Sequence, residues 1–315
     1  IKFKSITKKN ENNTNALYIF NNTEKSYLIK NILLKNEIDL DLDFYNSKFA
    51  TDNYQNTLRF FPSLGLTASY PMINYKNQNS ILIEPITQII YSANDNNKVK
   101  IKNQDSLEVE LLSSNLFSKN KYAGDDRKEN GFRINYGISL KHNGIDNSSN
   151  TFLLGRSYRE KKQEQFDVPS GFSENHSDFV GNYSMYLSDI SELYYDFRVS
   201  DSLDLNRNRI RTNFEVLDNK MNINYIQIKN FASRNNSDTE QISYGLERKV
   251  FENWKLSFTQ HRDLAGARFS TPFKSTFGIN FENDCAIISF NITRDKSYDI
   301  DIPSITNYNF NINLF

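Results

Sequence analysis

The chain has 315 residues with 38 basic and 38 acidic side chains, a balance that gives no electrostatic case for nucleic acid. Mean hydropathy is −0.65, yet 14% of residues are aromatic, with 24 Phe and 18 Tyr, a load that argues against disorder. No window approaches the roughly 18 uninterrupted apolar residues of a membrane-crossing helix; a membrane β-barrel stays open, because its strands are short and half polar.

The start, Ile1-Lys2-Phe3-Lys4, shows neither an initiator Met nor the apolar core of a signal peptide, so the expectation is an internal cut of a longer chain. Helical periodicity is nearly absent, whereas runs of period two recur. In the first clear group Leu40, Leu42 and Phe44 oppose Asp41 and Asp43. Residues 58–70 and 81–91 follow, with Pro62 and Pro85 expected at bulges or strand ends. A long polar segment then leads to the central stretch, 116–140. Its second half sets Phe132, Ile134, Tyr136, Ile138 and Leu140 against Arg133, Asn135, Gly137, Ser139 and Lys141. Further on, Leu193, Tyr195, Phe197 and Val199 oppose Tyr194, Asp196 and Arg198. Ile210, Thr212, Phe214 and Val216 oppose Arg209, Arg211, Asn213 and Glu215. Met221, Ile223 and Tyr225 run into Ile226 and Ile228, a phase change that predicts a bulge. Trp254, Leu256 and Phe258, then Phe277, Ile279 and Phe281, then Ile288, Phe290 and Ile292 repeat the alternation, and Tyr308, Phe310, Ile312 and Leu314 close it.

Tight turns alternate with long polar connections at 92–107, 160–176 and 261–271, the rim pattern of an outer-membrane barrel. The pattern predicts an all-β fold: part of a transmembrane antiparallel up-and-down β-barrel, with roughly 15 to 17 strands of a larger barrel and residues 1–315 as one domain. A soluble β-protein, including a surface adhesin, is the competing reading; it would not need charge opposite aromatics over so many strands.

Nothing in the sequence composes a catalytic site. His142, His176 and His261 stand apart, without an HExxH or Cys/His spacing, and no G-x-S-x-G occurs, so no metal, cofactor or enzymatic role is expected. The mixed run Asp125-Asp126-Arg127-Lys128-Glu129 is expected to be a solvated loop; its functional alternative is a salt-bridged loop tied to a neighbour or to a lipid phosphate. Arg133, Asn135, Lys141, Arg198, Arg209 and Arg211 are candidates to line a polar lumen. Cys285, the single cysteine, allows no disulfide within the chain; beside the turn Asn283-Asp284 it points to a partner outside this segment.

Several motifs fall in a familiar order. Asn120, Tyr122, Gly124, Asp126-Arg127, Glu129, Gly131, Arg133 and Asn135-Tyr136-Gly137 form the central one. Arg59 and Pro62 with Tyr70-Pro71, Glu84-Pro85-Ile86, Gly155-Arg156-Ser157-Tyr158, residues 177–181, and Trp254 with Arg262-Asp263-Leu264 surround it. Asn283-Asp284-Cys285, Thr293-Arg294 and residues 299–303 follow. Over residues 58–314 the chain resembles the C-terminal barrel of the lipopolysaccharide (LPS)-assembly outer-membrane family LptD, departing from it at Asp125, where an aromatic is common.

The resemblance implies a bacterial outer-membrane barrel of about two dozen strands. It implies a plug lipoprotein of the LptE kind and, before the barrel, a jelly-roll domain that receives LPS from a periplasmic bridge protein; that domain and the first barrel strands are expected to be absent from residues 1–315. LPS sugars would cross the lumen and LPS would leave sideways into the outer leaflet through a gate. Tyr308, Phe310, Ile312 and Leu314 would form the gate strand, and Cys285 would bridge the barrel to the upstream domain. An ATPase elsewhere would drive transport, so no residue here would be catalytic. A passive porin or uptake barrel is the alternative function.

Overall fold

The computed structural model describes residues 1–8, 12–49, 55–94, 100–162, 170–172, 174–187, 191–229, 238–265, 272–296 and 304–314. Among these the first strands are β1 (Lys2–Lys8), β2 (Asn12–Ile29), β3 (Ile32–Phe49), β4 (Gln55–Ser69), β5 (Met72–Lys76), β6 (Asn79–Ser92), β7 (Leu107–Glu108), β8 (Tyr122–Ala123), β9 (Gly131–Asn143) and β10 (Ser149–Arg159). A meander follows: β11 (Phe179–Leu187), β12 (Ser191–Val199), β13 (Leu205–Val216), β14 (Asn219–Ile228), β15 (Thr239–Phe251), β16 (Trp254–Asp263), β17 (Pro272–Glu282), β18 (Ala286–Asp295) and β19 (Ile305–Leu314). One 3-10 turn spans Ser113–Asn115, and no α-helix occurs among the described residues. The fold is all-β and antiparallel, and seventeen strands belong to one up-and-down sheet, while β7 pairs with β8. The residues gather into two compact units, one of Ile1–Ile73, Leu82–Ser139 and Leu154–Phe179, the other of Asn74–Ile81, Leu140–Leu153 and Val180–Phe315.

In the second unit, residues opposite one another across antiparallel strands share a face. Following the register from β13 to β19 gives one apolar row: Phe214, Met221, Leu246, Phe258, Phe277, Ile292 and Tyr308. All but Ile292 are exposed. One residue along each strand, the other face carries Asn213, Asn222, Gly245, Thr259, Thr276, Thr293 and Asn307. A large apolar face left uncovered, backed by a face of amides and hydroxyls, is what a wall between hydrocarbon and water requires. Strands of 9 to 13 residues fit the span, since a tilted membrane strand needs about 9–11.

The bulge expected at Ile226 does not form. β14 pairs with β13 and β15 without a register shift, so Ile226 and Ile228 stay on the polar face, opposite Arg209 and Arg207. Two flanking hydrogen-bond ladders hold the register against a local change in hydrophobic phase. Register shifts occur instead at Arg198/Val199, Lys249/Phe251 and His261/Arg262.

In the first unit the same alternation is turned to packing. Along β4, Thr57, Arg59, Phe61 and Ser63 are buried while Leu58, Phe60, Leu64 and Leu66 are exposed. The buried face is the one covered by residues 100–130. Pro62 lies inside β4, opposite Leu40 with no register shift, and Pro85 lies inside β6. The β4–β6 ladder runs from Ser63↔Ser92 to Ser69↔Ile86, so each proline stands just beyond one end of it, where no ladder donor is needed. The alternation in the sequence starts at Leu40, but the structure adds β1 and β2 before it. β2 mixes Asn with apolar residues on both faces, which hides its period.

Candidate functional site

The site forms where residues 100–130 lie on the polar face of β2, β3 and β4. Gly124 turns the chain with φ +100°, and a Cβ there would stand 2.5 Å from the Asp105 carbonyl oxygen, so only glycine lets the two stretches touch. Gly131, also left-handed at φ +83°, opens β9. The run 125–129, expected to be solvated, is largely folded inward: Asp126 and Glu129 are each 2% exposed. That overturns the solvated-loop expectation, because each inward charge meets a partner from a strand.

Asp126 is the first hub. Tyr18 and Tyr45 hydroxyls both donate to its Oδ1 at 3.4 Å, and Lys4 Nζ does so at 3.2 Å. Its Oδ2 accepts the Gln104 and Asp105 backbone N–H groups at 2.8 and 3.2 Å. Arg59, 1% exposed, pairs with Asp43 at 2.7 Å and donates to the Asp126 and Asp125 carbonyls at 2.7 and 2.6 Å. Lys4 also meets Asp105 at 2.7 Å, and despite partial burial these contacts hold the Asp105 carboxyl down at about 2. The hub thus fastens strands β1 to β4 to the inserted segment.

Glu129 is the second. Its Oε1 accepts Arg159 Nε and Nη2 at 2.8 and 2.6 Å and lies 3.4 Å from Arg133 Nε; its Oε2 accepts the Lys121 N–H at 3.1 Å. Burial alone would raise the Glu129 carboxyl, but Arg133, Arg159 and Lys121 hold it below the usual range. Lys121 Nζ donates to the carbonyls of Asn115, Leu116 and Ser118, while burial pushes its ammonium down to about 7 against the pull of Glu129. Arg133 Nη2 reaches Ser92 Oγ and the Lys119 carbonyl, and Asn135 donates to Gln88 Oε1 at 2.8 Å. Asn120 Oδ1 accepts the Glu129 N–H, and Arg127 donates to the Ile101 carbonyl. Phe172 packs under the Arg159 guanidinium, 4.1 Å from its centre.

The other sequence-selected residues do not join this cluster. Lys141 is exposed on β9. In the second unit Arg198, Arg209 and Arg211 share the polar face of β12 and β13, opposite Arg207, Asp196 and Tyr194; the Arg211 guanidinium stacks 4.6 Å from the Tyr194 ring. Tyr308, Phe310, Ile312 and Leu314 are exposed on β19, opposite Ile292, Phe290, Ile288 and Ala286. Cys285 is exposed in the β17–β18 turn, its N–H donating to Asn283 Oδ1. The motif at 299–303 lies outside the described residues. Among the described residues no His, Cys, Asp and Glu group is set to hold a metal. Sequence reasoning missed Lys4, Tyr18, Tyr45, Lys121 and Arg159; the usable signal was the carboxylate row Asp39, Asp41 and Asp43 on one strand face, which demands cations from elsewhere.

Against known families, the one described as LptD, LPS transport system D, matches residues 7–261. The chain belongs to the LptD family. The match takes in both hubs except Lys4 and starts well before residue 58, where the motif order begins, but stops short of the 283–303 motifs. Membership places this LptD-family chain in the bacterial outer membrane and in the transport of LPS. No curated protein matches it. Similar solved structures include a triple mutant of a Rh. blastica porin, 9% identical with a TM-score of 0.33, covering 96% of this chain and 91% of that one. Another is the open form of the ferric-catecholate import receptor Fiu of E. coli, 10% identical, TM-score 0.34, covering 96% and 55%. A third, the CymD monoaromatic hydrocarbon channel, is 11% identical, TM-score 0.22, covering 91% and 84%. At these scores the likenesses add nothing to the family match.

Proposed function

We propose that this chain is a wall segment of the outer-membrane translocon that inserts lipopolysaccharide into the outer leaflet. The observation that carries the reading is the two-faced register of β13 to β19, a face of amides and hydroxyls behind an apolar one, in a chain of the LptD family. Sugars follow the polar face while acyl chains stay with the membrane. β19 serves as the gate strand, with Tyr308, Phe310, Ile312 and Leu314 toward lipid. Opening a seam exposes backbone groups at several kcal/mol each, so a gate must be short or weakly paired. An LptE-like lipoprotein plugs the lumen, the upstream domain takes LPS from the periplasmic bridge, and Cys285 is bridged to that domain. Residues 1–315 act together as one barrel segment, and no residue is catalytic.

Photocrosslinking in the full-length protein in cells tests this. Probes at Arg211 and Asn213, exposed on the polar face, should capture LPS during active export, while a probe at Phe214 on the other face should not. Asn135 is too buried to serve as a probe. No capture at either polar-face position under active export replaces the translocon with a passive porin.

A further inference from the structure

On the polar face of the first unit, one aromatic side chain has no structural reason to be where it is. Phe20 lies opposite Asp41, which lies opposite Phe61, so all three share the face that carries Tyr18, Asn22, Asp39, Asp43, Arg59 and Ser63. Phe61 is buried beneath Lys128, whose Nζ stands 5.6 Å from the ring centre. Phe20 is 58% exposed. It borders a cavity of about 320 Å³ between β2, β3, β4 and the inserted segment, lined also by Tyr18, Phe61, Asn22, Ser63 and Asp39. A large aromatic ring held open to water beside a cavity marks a surface meant to be covered.

We infer that this cavity is a saccharide subsite, with Phe20 as its platform and Asn22, Asp39, Asp41 and Ser63 as its polar rim. A pyranose has an apolar C–H face, which an aromatic ring covers, and a ring of hydroxyls, which carboxylates accept from and amides bond either way. The rim is preorganised: Asn22 Nδ2 and Ser63 Oγ both donate to Asp39, and Lys128 Nζ donates to Asp41 Oδ2 at 2.6 Å. Charge decides which saccharide. Asp39, Asp41, Asp43, Asp125 and Glu129 line the cavity against Lys119 and Lys128, and both lysines already bond to its carboxylates. A phosphate would be repelled, so the occupant is a neutral or ammonium-bearing pyranoside. The inference rests on the transport reading for its natural occupant, a sugar of the exported glycolipid.

The test is saturation-transfer NMR on the full-length protein in detergent, with methyl glucosaminide and glucosamine 6-phosphate as probes. Methyl glucosaminide should receive saturation and the phosphate should not. Phe20→Ala should cut the transfer by about fivefold, the worth of one aromatic contact, and Phe20→Trp should retain it. Phe20 is exposed, so neither variant removes packing that the fold needs. Equal transfer in Phe20→Ala, or transfer to the phosphate as strong as to methyl glucosaminide, overturns the subsite. LPS capture at Arg211 without a Phe20-dependent signal removes the subsite and leaves transport standing. A Phe20-dependent signal without capture at Arg211 or Asn213 keeps the subsite and replaces the translocon with a passive porin.

Discussion

Glu129 is buried beside three cations: Arg133, Arg159 and Lys121 all act on it. Glu129→Gln keeps the shape and deletes the charge, leaving three buried cations to repel one another. Removing one partner from a buried ionic cluster costs about 3–5 kcal/mol. Lys2, which pairs with Asp125 at the surface, is the control; exposed pairs contribute about 0–1 kcal/mol. Thermal unfolding of the full-length protein in detergent, read by heat-modifiable gel migration, should show a much lower transition for Glu129→Gln and almost none of that shift for Lys2→Ala. Equal transitions would mean that the cluster is not what holds residues 100–130 in place. At this scale little was legible beforehand. A run such as 125–129 alternates sign and looks solvated, and what reverses that reading is Arg159 and Arg133, whose arrival depends on the register of β9 and β10.

Residues 100–130 behave as an element of their own, one whose binding to the wall depends on ionised carboxylates. Asp105 is held at about 2 against an ordinary 3.8, and Glu129 is held below its ordinary 4.5. Both folded values are depressed, so between about pH 4.5 and 2 the unfolded segment binds more protons than the docked one. Their stabilisation is therefore complete above the ordinary carboxylate range and is lost as the pH falls toward 2. Hydrogen exchange followed by mass spectrometry should show the amides of 104–126 opening over that window while β14 and β15 stay protected. Protection of the segment that persists unchanged to pH 2.5 would assign its docking to apolar contacts such as Leu111, Leu116 and Phe172 instead. Strands were far more legible than this insert. The period of two in β9, β13 and β16 survives because both faces are uniform along their length. It failed to announce β1 and β2, whose faces are mixed, and it announced a bulge at Ile226 that two ladders forbid.

At the scale of the whole molecule, the sequence alternation becomes meaningful only when the register is followed across strands. One alternating strand is compatible with a soluble sandwich; an uninterrupted apolar row from Phe214 to Tyr308 over seven strands is not, because nothing in a sandwich would leave it bare. The two readings therefore assign opposite costs to the same substitution. Leu246 sits mid-row, between Met221 and Phe258. In a membrane wall Leu246→Arg places a charge against hydrocarbon, at about 2–4 kcal/mol near the midplane and about 0–1 near the interfaces. Thr259, one residue from Phe258 along β16 and on the other face, should accept arginine at little cost, since that face meets water. In a soluble protein, by contrast, an exposed Leu246 would be replaced by arginine nearly for free. Denaturant titration of the full-length protein refolded into lipid vesicles measures both variants. A large loss for Leu246→Arg beside a small one for Thr259→Arg fixes which face meets lipid. Similar small losses at both positions would mean that the apolar row faces something other than a membrane, and the wall would have to be turned around.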